Sequence, residues 1–176
     1  MNNVTLKLLD IKDTDRILEV GFGGGSLLSE IVKSKPRQTV YGADFSTAMV
    51  ERCENNMRNF IAQGSVHLDC ANVENLPYAA NQFTKIATVN TIYFWDDFSA
   101  AIKELKRVLD DKGVLIIAFG NKESMAKSKM THHGFSLYTL GEIRKGLENE
   151  GFKINHIKQE EDNSSAFFVL SATKAC

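Results

Sequence analysis

The chain has no excess of charge of either sign: 21 lysines and arginines face 22 aspartates and glutamates over 176 residues. That balance excludes a global electrostatic attraction to nucleic acid or to an anionic membrane. No apolar run approaches the roughly 20 residues that span a bilayer, and the start, MNNVTLKLLDIKD, has no signal-peptide profile. A cytoplasmic protein with no membrane span and no nucleic-acid partner is the expectation. Cysteine is scarce. Cys53, Cys70 and Cys176 are odd in number, with no CxxC spacing and no shared pattern with histidine, so free thiols and no metal are expected.

Glycine, by contrast, is concentrated. LEVGFGGG, residues 18–25, places four glycines within five positions. RILEV before it is strand-like, and SLLSEIV after it sets Leu27, Leu28, Ile31 and Val32 on one helical face. The bare backbone therefore belongs to a strand-to-helix turn, where glycine permits a strained conformation or a close ligand approach.

The rest of the chain alternates strands and helices. QTVYGAD, SVHLD, KIATVN and VLIIAF read as further strands. The helix from Thr47 is capped by Ser46 and ended by Gly64; the helix in DDFSAAIKELKRVLDDKG starts at Asp96 or Asp97 and has Gly113 beyond its end. Such alternation specifies an α/β fold with a doubly wound parallel sheet. A T-x-x-E capping box, Thr139 to Glu142, opens a last helix with Leu140, Ile143 and Leu147 inward. KINHIKQEE and SAFFVLSATK then follow, separated only by Asp162, Asn163 and Ser164 or so. A parallel crossover needs about a dozen residues, so these strands form an antiparallel hairpin. One domain, 1–176, is expected, with 1–15 as a short N-terminal segment and 120–138 as an irregular substrate lid or surface loop.

Ligands of open parallel sheets bind outside the carboxyl ends of the strands. The dinucleotide pattern GxGxxG fails here: counted from Gly21 its third glycine falls on Ser26, and counted from Gly23 on Leu28. What stands instead is acid-x-Gly-x-Gly-x-Gly (Glu19, Gly21, Gly23, Gly25), with Asp44 ending the second strand, suited to a ribose diol. An acid before the first glycine suits a cationic amine. Together with the terminal hairpin, it favours a nucleoside that carries an amino acid.

These motifs, RILEVGFGGG, YGADFS, NVENLPYAANQF, TVNTIYFW and ELKRVLDDKGVLIIAF in that order, resemble the class I S-adenosylmethionine-dependent methyltransferases, specifically the small-molecule type 11 group, from about Arg16 to Lys174. The resemblance implies a Rossmann-like sheet of seven strands in the order 3-2-1-4-5-7-6, with strand 7 antiparallel. It implies S-adenosylmethionine as methyl donor, S-adenosylhomocysteine as product, and a small-molecule acceptor. By resemblance, Glu19 lies near the methionine amine and the turn Gly21, Phe22, Gly23 cradles the methionyl part. Asp44 takes the ribose hydroxyls and Phe45 flanks the adenine. Asn72, where the family often has aspartate, meets the adenine amino group through its amide oxygen. The Val73 amide meets a ring nitrogen, and Asn90 lies near the methionyl group.

Each role has a structural competitor: a lysine-paired strand end for Glu19, a helix cap for Asp44, a turn residue for Asn72, core packing for Phe45. Tyr93, Phe94, Trp95, His132, His133 and Tyr138 are placed to face an aromatic or apolar acceptor, with Tyr93 and His133 as candidate catalytic groups. Phe94 and Trp95 are also suited to packing under the helix that follows, and His67 and His156 to structural places in strands. Few residues precede Ile17, whereas the family usually carries covering helices there. An open pocket, or one completed in a homo-oligomer, is the corresponding expectation, and the alternative function is a non-catalytic cofactor-binding or partner subunit.

Overall fold

The first strand is short and entirely buried: β1, Ile17–Val20, has no exposed position, as expected of a strand covered on both faces. In the computed structural model, which describes residues 1–34, 38–122, 136–162 and 165–175, it lies inside a seven-stranded sheet. Around it are β2 (Val40–Asp44), β3 (Val66–Cys70), β4 (Phe83–Val89), β5 (Leu109–Gly120), β6 (Phe152–Asp162) and β7 (Ser165–Lys174). Their order is β3-β2-β1-β4-β5-β7-β6. The pairs among β1 to β5 are parallel, while β7 runs antiparallel to β5 and β6. The seven strands are those read from the sequence, and their order and the direction of β7 are those the resemblance implied.

Helices α1 (Asn2–Leu9), α2 (Ser26–Ser34) and α3 (Thr47–Ala62) cover one face, packing Leu9, Leu28, Ile31 and Cys53 against Ile17 and Ala87. Helices α4 (Phe98–Val108) and α5 (Leu140–Asn149) cover the other, packing Ile102, Leu105, Ile143 and Leu147 against Leu18 and Ile117. The caps are as the spacing specifies. Ser46 accepts from the Met49 amide, Asp97 from Ala100, and the Thr139 to Glu142 capping box is complete.

Two boundaries differ from the sequence reading. α4 ends at Val108, not near Gly113, because Leu109 is fully buried and pairs with Phe83, drawing the chain straight into β5. The short N-terminal segment contains a helix: α1 buries Thr5 and Leu9 against the sheet. Residues 123–135, the greater part of the expected lid, lie outside the described residues, as do His132 and His133.

Candidate functional site

Where β1, β2 and β4 end, the chain opens a cleft of about 560 Å³. Strand ends supply Val20, Ala43 and Val89; the loops beyond supply the polar groups. Gly21, Phe22, Gly23, Asp44, Phe45, Asn72, Val73 and Asn90 all line it.

The turn after β1 explains its glycines. Gly21 has φ +72°, and a Cβ there would sit 2.2 Å from Cγ2 of Thr91, so both conformation and space require glycine. Gly23 has φ +52°, and a Cβ there would meet nothing within 4 Å. Its bare backbone borders the open cleft. Asp44 fixes this turn from the neighbouring strand. Its Oδ2 accepts from the Gly23 amide at 2.8 Å, and its Oδ1 from the Ser46 amide at 3.0 Å.

Glu19 is not in the lining. It is 3% exposed, beneath the turn, and its Oε2 has no hydrogen-bond partner. Burial pushes its carboxyl up to about 8, against a lowering bond from the Leu28 amide; the charges of Asp44 and Glu30 raise it further. The lysine pairing weighed for Glu19 is absent among the described residues. A buried carboxyl oxygen facing no donor is costly.

On the far wall, residues 71–82 join β3 to β4 without a helix or strand of their own. Asn72 makes an Asx turn, its Oδ1 accepting from the Glu74 amide at 2.9 Å. The oxygen expected to face adenine therefore already holds one internal bond, leaving one lone-pair direction for a ligand. Phe45 is 65% exposed, so core packing is not its role.

After β4, Asn90 takes φ +58°, a conformation unusual outside glycine that asparagine tolerates. Beyond it Ile92–Phe94 form a single 3₁₀ turn. This turn separates three aromatic residues that the sequence grouped. Tyr93 is buried, and its hydroxyl accepts from the Gly120 amide and donates to Oδ1 of Asn90 at 3.4 Å. Burial pushes that phenol up to about 12. Trp95 is buried with its ring 5.7 Å from Phe98, while Phe94 stands 48% exposed in the cleft wall. Tyr138 packs on Phe98, at 5.3 Å. His67 stacks on Tyr41 at 5.2 Å, a structural place, and His156 is exposed on β6.

Sequence reasoning assigned no site role to Met49, Ala71, Thr91 or Asp96, which also line the cleft. Thr91 was findable, as the residue two beyond a parallel strand's carboxyl end; Met49 and Asp96 required the packing of α3 and the 3₁₀ turn.

A parallel sheet reversed by its seventh strand, with a glycine turn, an acid beneath it and a second acid on the next strand, defines the class I methyltransferase architecture. Residues 18–117, more than half of the chain, match the methyltransferase domain family, and the chain belongs to it. It is an S-adenosylmethionine-dependent methyltransferase. It is 27% identical to the uncharacterized methyltransferase YdaC of Bacillus subtilis over 161 residues, 91% of this chain and 86% of that one. With the ubiquinone/menaquinone biosynthesis C-methyltransferase UbiE of Geotalea daltonii it shares 28% identity over 136 residues, 77% of this chain and 58% of that one. A SAM-dependent methyltransferase from Aquifex aeolicus has the same fold, with a TM-score of 0.83 at 22% identity, covering 97% of this chain and 88% of that one. No helix among the described residues is long and apolar enough to cross a membrane.

Proposed function

We propose that this cleft holds S-adenosylmethionine and that the enzyme methylates a small, apolar or aromatic acceptor. The observation that carries the reading is the unpartnered Oε2 of buried Glu19 below a backbone bare of side chains. A cationic α-amine satisfies that oxygen, and the amino-acid tail lies along Gly21 to Gly23. Asp44, held by two backbone amides, keeps lone pairs for the ribose diol. Phe45 lies against the adenine, with Asn72 and Val73 at its polar edge. Asn90 turns toward the methionyl part.

The bound cofactor supplies a methyl group already activated on a sulfonium. The chain must orient an acceptor in line with that group and exclude water, an effect worth roughly 7–11 kcal/mol. General base catalysis adds only about 10²–10⁴-fold. Tyr93 is not that base: its phenol stays protonated near neutral pH and its hydroxyl is engaged on Gly120 and Asn90. It sets the direction of Asn90. Phe94 and Trp95 give the acceptor end an aromatic wall, which supports a planar or apolar acceptor. Cytoplasmic placement, a homo-oligomer and the absence of a nucleic-acid partner belong to the same proposal, the last resting on the balanced charge.

Calorimetric titration with S-adenosylhomocysteine is expected to give one site per chain, and incubation with labelled S-adenosylmethionine and a panel of phenols, quinols and amines to give a methylated product. An absence of S-adenosylhomocysteine binding would overturn the reading. Cofactor binding with no product across the panel would favour the non-catalytic alternative.

A further inference from the structure

The loop that brings Asn72 and Val73 to the cleft has no secondary structure of its own, so something else must fix it. The last turns of α4 do so. Arg107 donates from Nη1 to the Tyr78 carbonyl at 2.8 Å and from Nη2 to the Leu76 carbonyl at 3.2 Å. The same guanidinium grips Glu104 with two bonds, 2.7 Å from Nε and 2.6 Å from Nη2. Glu104 Oε1 in turn accepts from the Leu76 amide at 2.8 Å, and the Asn81 amide donates to the Arg107 carbonyl at 2.9 Å. At the other end of α4, the Asp97 amide donates to Glu74 at 2.9 Å. Tyr78 ties the loop to the sheet, its hydroxyl donating to Asp69 at 2.9 Å. None of Glu104, Arg107 and Glu74 lines the cleft.

We propose that Arg107 and Glu104 are positioning residues for cofactor recognition, holding the loop so that Asn72 and Val73 meet the base of the nucleoside at a fixed distance. Leu76, which both residues grip, is three positions from Val73, and the Asn72 turn spans the interval. The guanidinium fork is essential, because its planar set of donors serves two carbonyls and a carboxylate together; a lysine ammonium cannot. The Arg107 bonds also hold the Glu104 carboxyl below the usual carboxylate range, so the clamp stays charged. This inference rests on the cofactor placement proposed above.

The test compares S-adenosylhomocysteine with S-inosylhomocysteine, in which the adenine amino group is replaced by an oxo group. A site that reads that amino group disfavours the inosyl analogue by at least about tenfold. In Arg107→Lys and Glu104→Ala, affinity for S-adenosylhomocysteine is expected to fall about tenfold, and the preference over the inosyl analogue to shrink toward one. Glu104→Gln keeps an acceptor for the Leu76 amide and is expected to retain most of the preference. Thermal melting of each variant identifies those that fold. If Arg107→Lys does not fold, Glu74→Ala, which removes the acceptor of the Asp97 amide at the other end of the clamp, is read in its place. Full affinity with undiminished base preference in folded variants would overturn the proposal. So would a wild-type protein that binds both ligands equally, whereas a wild-type protein that binds neither overturns the cofactor placement itself.

Discussion

Two carboxylates serve the cleft, Asp44 in its wall and Glu19 beneath its glycine turn, and the fold treats them oppositely. Asp44 has both oxygens engaged by main-chain amides, Gly23 on one side and Ser46 on the other. Glu19, on the adjacent strand, has one oxygen with no partner and a carboxyl pushed up to about 8 by burial. Asp44 holds the glycine turn in shape before any ligand arrives. Glu19 is a standing cost that, in the proposed cofactor placement, the ligand's amine removes. In that placement one acid preorganises the site and the other stores part of its binding energy, so substitutions at the two must have different signatures.

The largest effect is expected at Asp44. Asp44→Ala removes two charge-assisted hydrogen bonds, each worth about 1.5–3 kcal/mol, and releases the turn. Affinity for S-adenosylhomocysteine falls about 100-fold or more by calorimetry, and urea unfolding shows lost stability. Glu19→Gln is expected to weaken the same ligand about 10- to 100-fold while the unliganded protein becomes more stable near pH 8. If both variants lose stability alike, the contrast between them is wrong.

The contrast sharpens with pH. Between its ordinary 4.5 and about 8, the unfolded chain gives up the Glu19 proton while the folded chain keeps it. The folded state then binds more protons, so stability falls as pH rises through this window, by at most about 1.4 kcal/mol per unit from this group. Urea titrations at pH 5, 6, 7 and 8 are expected to show that slope in the wild type relative to Glu19→Gln. Ligand binding near pH 7 is expected to release close to one proton, read from calorimetry in buffers of different ionisation enthalpy. Equal proton release by wild type and Glu19→Gln would break the assignment.

Both carboxylates were legible in the sequence because local rules placed them: each stands at the carboxyl end of a short apolar strand, and the glycine spacing marks the turn between. The antiparallel pairing of β6 with β7 was legible from loop length alone, since a few residues after Asp162 cannot make a crossover, while the reversal of β7 against β5 was implied by the family resemblance. The clamp was not. Arg107 and Glu104 look like an ordinary i, i+3 pair on a helix surface, and their partners Leu76 and Tyr78 are 28 to 31 positions away. α1 was missed although Met1, Val4, Leu8 and Ile11 stand at helical spacing, because the helix is only eight residues long and has no side-chain cap at its start. The fates of Phe94 and Trp95 turned on one 3₁₀ turn, which leaves Phe94 half-exposed and Trp95 buried, both in the cleft wall.

The smallest effects test whether the cleft has separate ends. Phe45, beyond Asp44, and Phe94, beyond Asn90, are the two exposed rings in its wall, 65% and 48% accessible. If Phe45 lies against the base, Phe45→Leu removes an aromatic contact worth about 0.5–1.5 kcal/mol and weakens S-adenosylhomocysteine some two- to tenfold. Phe94→Leu leaves that affinity unchanged and raises the KM of an apolar acceptor by a similar factor. Phe45→Leu should melt with the wild type, while Phe94→Leu, which loses an edge-on contact with buried Tyr93 at 6.4 Å, should melt slightly below it. A cleft in which either ring affects both ligands equally has no such division. The carboxylates then act on one shared volume, and Glu19 cannot be assigned to the amino-acid end alone.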